Sequence, residues 1–151
     1  LLASGVTLRF AEKAVKILKS FDVNCDLWSI TSFNELAREG LSSERKELNG
    51  KKSEKPYVEK CFEKEIPTLA VSEYQRLYAE QIRRWVNGRY VCLGTDGFGR
   101  SDSREKLRDF FEIDHTHIVY YALIIANKNK EAIQFADENK LDLKRENPWQ
   151  I

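Results

Sequence analysis

The chain has 151 residues, 42% hydrophobic and 32% charged, and its 25 Lys and Arg are balanced by 24 Asp and Glu. A single domain of this size buries about 70% of the surface its unfolded chain exposes, so a sizeable core is expected. The near-neutral balance leaves no basic footprint for nucleic acid, and the longest apolar run, residues 118–126, is too short to cross a bilayer.

Leu1-Leu2-Ala3-Ser4 reads as the second half of a buried strand turned by Gly5. With no methionine or leader before it, the chain reads as a domain cut from a longer one. Leu8, Ala11, Val15 and Leu18 recur at helical spacing, with Lys13, Lys16 and Lys19 on the wet face. Residues 23–30, carrying Val23, Cys25, Leu27, Trp28 and Ile30, predict a second strand. A short helix is expected over 33–39, stopped by Gly40. Residues 41–56, LSSERKELNGKKSEKP, nearly lack apolar side chains and read as an exposed, charged loop. A helical turn at 57–62 and a third strand at 67–72 follow. Tyr74, Leu77, Tyr78, Ile82, Trp85 and Val86 then make a helical stripe closed by Asn87-Gly88, and a fourth strand spans 90–93.

That strand delivers the run GTDGFGRSDSR, residues 94–104. Asp102, near its end, and Glu105 have capping-box spacing for one helix, and Asp114 caps the next with Ile113 and Ile118 as its hydrophobic staple. Residues 130–140 predict a last helix and 141–151 a tail. Strands alternating with helices require crossover connections. The expected fold is therefore an α/β domain of three layers, α/β/α, around a mostly parallel sheet, with residues 1–151 forming one unit.

Gly94, Gly99, Arg100 and Ser101 spell G-x-x-x-x-G-R-S, one residue from a nucleotide-binding pattern. Arginine is a poor substitute for the mobile lysine of that pattern. Asp96 and Asp102 would set negative charge beside phosphates. The order G-x-x-G-x-G also departs from the dinucleotide fingerprint. The run reads instead as a structural turn. Gly94, Gly97 and Gly99 would permit positive φ and close backbone approach, Thr95 would lead in, Phe98 would anchor the turn to the domain, and Asp102 would cap the helix beyond. A stand-alone nucleotide or small-ligand module is the alternative.

Ser29, Thr31 and Ser32 fall at a strand end, where open α/β sheets place ligands. No histidine base lies near them in sequence, so strand-end or interface contacts are expected. His115 and His117, two apart, face different ways and read as polar first-turn residues. Trp28, Trp85 and Trp149 read as core or interface anchors. Cys25, Cys61 and Cys92 are odd in number and far apart, which predicts free thiols in a reducing cytoplasm. No catalytic, cofactor-binding or metal-binding residue is assigned.

The element order, the segment Val71-Ser72-Glu73 and an Asp-x-Phe-Gly-x-Ser-like loop at 96–101, shifted by the extra Gly97, resemble the C-terminal domain of the transketolase superfamily of thiamine diphosphate enzymes. Residues 29–40, SITSFNELAREG, are similar to S-V-T-S-F-x-E-L-A-R-D-G of the homodimeric-type first component of bacterial pyruvate dehydrogenase complexes. Residues 94–104 are similar to its G-T-D-G-F-G-R-S-D-[ST]-R, and 110–114 to its F-F-E-V-D. The resemblance covers residues 1–126 and is faint beyond, apart from Asn147-Pro148.

The resemblance implies a parent enzyme in which thiamine diphosphate and magnesium act on pyruvate, carbon dioxide leaves, and the remaining two-carbon fragment reductively acetylates a lipoyl group of the dihydrolipoyl acetyltransferase component. It implies a cytoplasmic homodimer whose N-terminal and middle domains hold the cofactor, while this domain supports assembly. The family's metal motif, G-D-G followed by N-N, is unmatched. Asp96-Gly97 follows Thr95 and lacks the asparagines, so neither Asp96 nor Glu73 receives a cofactor role. The same domain of another 2-oxo acid dehydrogenase or of a transketolase is a further alternative.

Overall fold

A computed structural model describes residues 1–151. Four strands, β1 (Leu2–Ser4), β2 (Trp28–Ser29), β3 (Thr68–Gln75) and β4 (Tyr90–Thr95), form one sheet in the order β2-β1-β3-β4, every pair parallel. The helices are α1 (Thr7–Leu18), α2 (Phe33–Leu48), α3 (Tyr57–Cys61), α4 (Arg76–Glu80), α5 (Arg104–Phe110), α6 (His115–Ile125) and α7 (Asn129–Glu138).

Side chains alternate across a strand, and two cores result. Ala3, Leu69, Val71 and Leu93 point to one face, where α1, α6 and α7 supply Ala11, Ala14, Leu18, Ile118, Leu123 and Phe135. Leu2, Ala70, Tyr90 and Cys92 point to the other, against Phe33, Ala37, Val58, Ala79, Ile82 and Trp85. The expected three-layer parallel architecture is thus present. Helix α6 is apolar nearly all round because α1, α7 and β3 pack against it.

Three expectations are corrected. The second strand shrinks to Trp28–Ser29, which pairs with Leu2 and Ala3; Val23, Cys25 and Leu27 pack instead as partly buried side chains on the first core. The stripe expected from Tyr74 to Val86 is broken. A register irregularity between Val71 and Gln75 carries β3 on to Gln75, leaving only α4 and a 3-10 turn at Arg83–Trp85. Tyr74 and Leu77 are exposed, while Ile82, Trp85 and Val86 are buried as the pattern required.

The third correction concerns the expected loop at 41–56. Its first half, up to Leu48, is the continuation of α2. Gly40 does not stop this helix. It lies against the Trp85 indole so closely that a Cβ there would sit 2.5 Å from the ring. Glu44, one turn on, accepts from Trp85 Nε1 at 3.0 Å and pairs with Arg84 at 2.9 Å. A tertiary contact therefore carries the helix past its glycine. Ser32 starts it as expected of an N-cap, accepting from Glu35 N at 3.2 Å. Residues 41–56 are nonetheless mostly exposed.

Candidate functional site

The two polar runs singled out in the sequence, at 29–32 and 94–102, lie at the carboxyl ends of β2 and β4. This rim is where parallel α/β sheets present ligand-contacting and partner-contacting groups. The strand order separates the two motifs. Ser29 ends β2 and Thr31 and Ser32 follow it at one end of the rim; Gly94 and Thr95 end β4 and Asp96 to Asp102 follow it at the other, with β1 and β3 between them.

The centre is the switch point between β1 and β3, from which the chain runs to opposite sides of the sheet. There Ser4 Oγ donates to Ser72 Oγ at 3.1 Å, and Ser72 Oγ accepts from Tyr74 N at 3.1 Å. The buried Thr7 hydroxyl lies 2.7 Å from the Ser4 carbonyl and 3.1 Å from that of Val71, which ties α1 to both strands. A crevice of about 360 Å³ opens here, lined by Ser4, Thr31, Ser32, Asn34, Ser72 and Tyr74 among others. Its lining carries no charged side chain, and no histidine reaches its hydroxyls. The Ser4, Thr7, Ser32 and Ser72 hydroxyls hold backbone and one another in place, and nothing beside them would activate a nucleophile.

At the β4 end the turn is built by contacts the sequence did not display. Arg76, at the start of α4, pairs with Asp96 at 2.8 Å. Asp96 Oδ1 also accepts from Gly97 N at 3.0 Å. Gly94 lets β4 pass the Arg76 backbone, where a Cβ would come within 2.7 Å of Arg76 Cα. Gly97 has φ +78°, the left-handed region that favours glycine. These two glycines have the expected roles. Gly99 has neither a positive φ nor a close neighbour, which corrects its assignment. Phe98 is 86% exposed and anchors nothing within the domain.

The helix cap is also displaced by one residue. Ser103 is the N-cap of α5, accepting from Lys106 N at 3.4 Å. Asp102 accepts instead from the adjacent Ser103 N at 2.7 Å, a local turn, and lies 3.6 Å from Lys106 Nζ. Because α5 begins at Arg104, three residues after Ser101, the run does not lead straight into a helix as a phosphate-cradling loop does.

Asp114 caps α6 as expected, accepting from His117 N at 2.9 Å. The same oxygen takes the Thr116 hydroxyl at 2.7 Å and stands 2.9 Å from His117 Nδ1. Burial alone would raise its pKa. The hydrogen bonds from His117 and Thr116 outweigh that and bring it down to about 2. His117 is buried, so it is more than a polar first-turn residue. Potential ligand atoms of Asp109, Asp114 and His117 lie within 4.8 Å of one another. Asp109 is already held by Arg145 at 2.9 Å and Asp114 by its cap, so this group is a structural tie. Glu73 is likewise engaged, 3.1 Å from Arg108. All three cysteines are free thiols.

Residues 1–114 match a family model described as the transketolase-like TK C-terminal domain. The chain belongs to this family. Relatives include the pyruvate dehydrogenase E1 component of Pseudomonas aeruginosa, 52% identical over 128 residues, covering 82% of this chain and 14% of that protein. The protein of the same name from Escherichia coli K12 is 45% identical over 127 residues, 82% of this chain and 14% of the relative. That from Cupriavidus necator is 42% identical over 163 residues, 100% of this chain and 18% of the relative. The chain therefore spans less than a fifth of the length of these relatives. As a transketolase-like C-terminal domain, it starts the 29–40 motif at its carboxyl rim before running into α2, and places the 94–104 motif at the other end of that rim. Arg76 and Ser103 are the rim residues that sequence reasoning missed. Arg76 lies twenty positions from Asp96, and no local pattern signals such a pair.

Proposed function

We propose that residues 1–151 are the C-terminal domain of a pyruvate dehydrogenase first component and that they serve its assembly rather than its chemistry. The identity to E1 components, 52% over 128 residues, carries the parentage. The rim supports the division of labour, since the Ser4 and Ser72 hydroxyls and the Glu73, Asp96 and Asp114 carboxylates are engaged with one another, with arginines or with helix caps.

The cofactor of such an enzyme is thiamine diphosphate with magnesium. The residues present do not fit it. Asp96 is clamped by Arg76, Glu73 is paired with Arg108, and no asparagine pair follows Asp96-Gly97. A cationic clamp beside a carboxylate disfavours a divalent ion. No step of the reaction is therefore placed on this chain. The cofactor would lie between the enzyme's N-terminal and middle domains, and this domain would contact those domains and a second copy in a homodimer. The dihydrolipoyl acetyltransferase component would meet the parent enzyme in the bacterial cytoplasm. No helix here is long and apolar enough to cross a membrane.

The test is turnover by the intact protein with thiamine diphosphate and Mg²⁺. Pyruvate consumption with acetylation of a lipoyl domain is the expected result. Transfer between sugar phosphates, or use of a longer 2-oxo acid with pyruvate ignored, would assign the parent to another branch of the superfamily.

A further inference from the structure

We propose that residues 147–151 are a latch that holds the 94–100 turn, and with it the exposed Phe98 ring, in one position on the rim. The inference stands on contacts within this chain and does not depend on the parent's substrate.

The latch is braced internally. Asn147 Nδ2 donates to Gln150 Oε1 at 2.6 Å, and Gln150 N donates back to the Asn147 carbonyl at 2.8 Å. Pro148, between them, fixes its own φ. A short stiff turn results, Pro148–Gln150, rather than a trailing end.

One guanidinium joins the latch to the turn. Arg76 lies over the Trp149 ring, 4.9 Å from its centroid, and pairs with Asp96 at 2.8 Å. A planar guanidinium can do both at once, offering its face to an aromatic ring and its edge to a carboxylate. The backbones meet at Gly97, where a Cβ would lie 2.8 Å from Trp149 Cα and 3.0 Å from the Pro148 carbonyl. Arg100 closes the far side by donating to the Ile151 carbonyl while its guanidinium lies over Phe110. The turn is therefore gripped at Asp96, Gly97 and Arg100, on either side of Phe98.

The grip is made to open. Trp149 is 47% exposed and Phe98 is 86% exposed, so no large apolar surface seals the contact. Behind the latch, a cavity of about 160 Å³ separates Pro148 and Trp149 from Val91, Leu93 and Phe111. Contacts that are few, polar and solvent-exposed belong to the low-stability end of a protein's opening motions. Opening the latch would strip Arg76 of its stacking partner and loosen Asp96 with it. The position of Phe98 would then be set by the loop alone.

Hydrogen–deuterium exchange of the intact polypeptide tests this, read at the amides of residues 95–100 in Trp149→Ala, Arg76→Lys and the double variant. Arg76→Lys keeps a cation for Asp96 and loses the planar stack. Each single change is expected to speed exchange at 95–100 by about fivefold or more, with β1 and α1 unaffected. The double variant is expected to lie within about twofold of the faster single variant, because both remove one shared contact. A smaller single effect, or effects that multiply in the double variant, would overturn the latch. Should Trp149→Ala also loosen β1 and α1, Trp149→Phe decides. Protection regained at 95–100 supports the latch, and protection still lost overturns it.

Discussion

Asp114 shows how much one side chain does on this rim, since a single oxygen receives a backbone N–H, a hydroxyl and an imidazole. Its carboxyl is held down to about 2, below its ordinary value of 3.8. A depressed folded value stabilises the protein above about pH 4, and that contribution is lost as pH falls through about 2. Asp114→Asn keeps an acceptor and removes the charge. In urea melts it should cost about 1–2 kcal/mol at pH 6, after discounting for solvent screening, and a small fraction of that near pH 2. A cost independent of pH would show that the charge is irrelevant.

The glycines offer a second test at the same scale. Gly97→Ala should cost about 1–3 kcal/mol, from its positive φ and its contact with Trp149. Gly99→Ala, with neither constraint, should stay within about 0.5 kcal/mol of the unsubstituted protein. A denaturant melt of the pair compares them directly, and equal costs would contradict the geometry. The Asp114 cap was legible because donor and acceptor are three residues apart. The roles of Gly99, Phe98 and Asp102 were not, because a run of turn residues can be threaded in more than one register.

Among the elements, α2 carries the main lesson. A glycine followed by a polar run looks like a helix end when only local preference is counted. Here Trp85, forty-five positions along the chain, lies against the glycine and gives Glu44 a donor, so the helix extends to Leu48. Gly40→Ala would push a methyl into the indole and should cost about 1–3 kcal/mol by overpacking, despite alanine's better helix propensity. A melt showing stabilisation would mean Trp85 yields and the contact is not specific. The strands β1, β3 and β4 were legible because buried parallel strands are short apolar runs. β2 was overestimated because Val23, Cys25 and Leu27 are partly buried without pairing.

For the whole molecule, two cores on opposite faces of one parallel sheet followed from the alternation of strands and helices. The rim's tertiary contacts, led by Arg76, could not follow from any local pattern. The layers also dictate thiol chemistry. Cys92 lies under the second core, and burial, followed by the charge of Glu80, pushes its thiol up to about 12. At pH 8 it is neutral and enclosed, so a thiol reagent should label it about a hundredfold or more slower than Cys61, and only through unfolding. Comparable rates would mean the second core opens locally.

In the proposed parent, this domain supports assembly while the reaction proceeds elsewhere. Sedimentation of the intact protein with and without residues 1–151, with pyruvate turnover measured on the same samples, tests it most directly. The intact protein should sediment as a dimer and turn over, and the shortened one should lose dimer mass and turnover together. A shortened protein that keeps dimer mass and full turnover would contradict it.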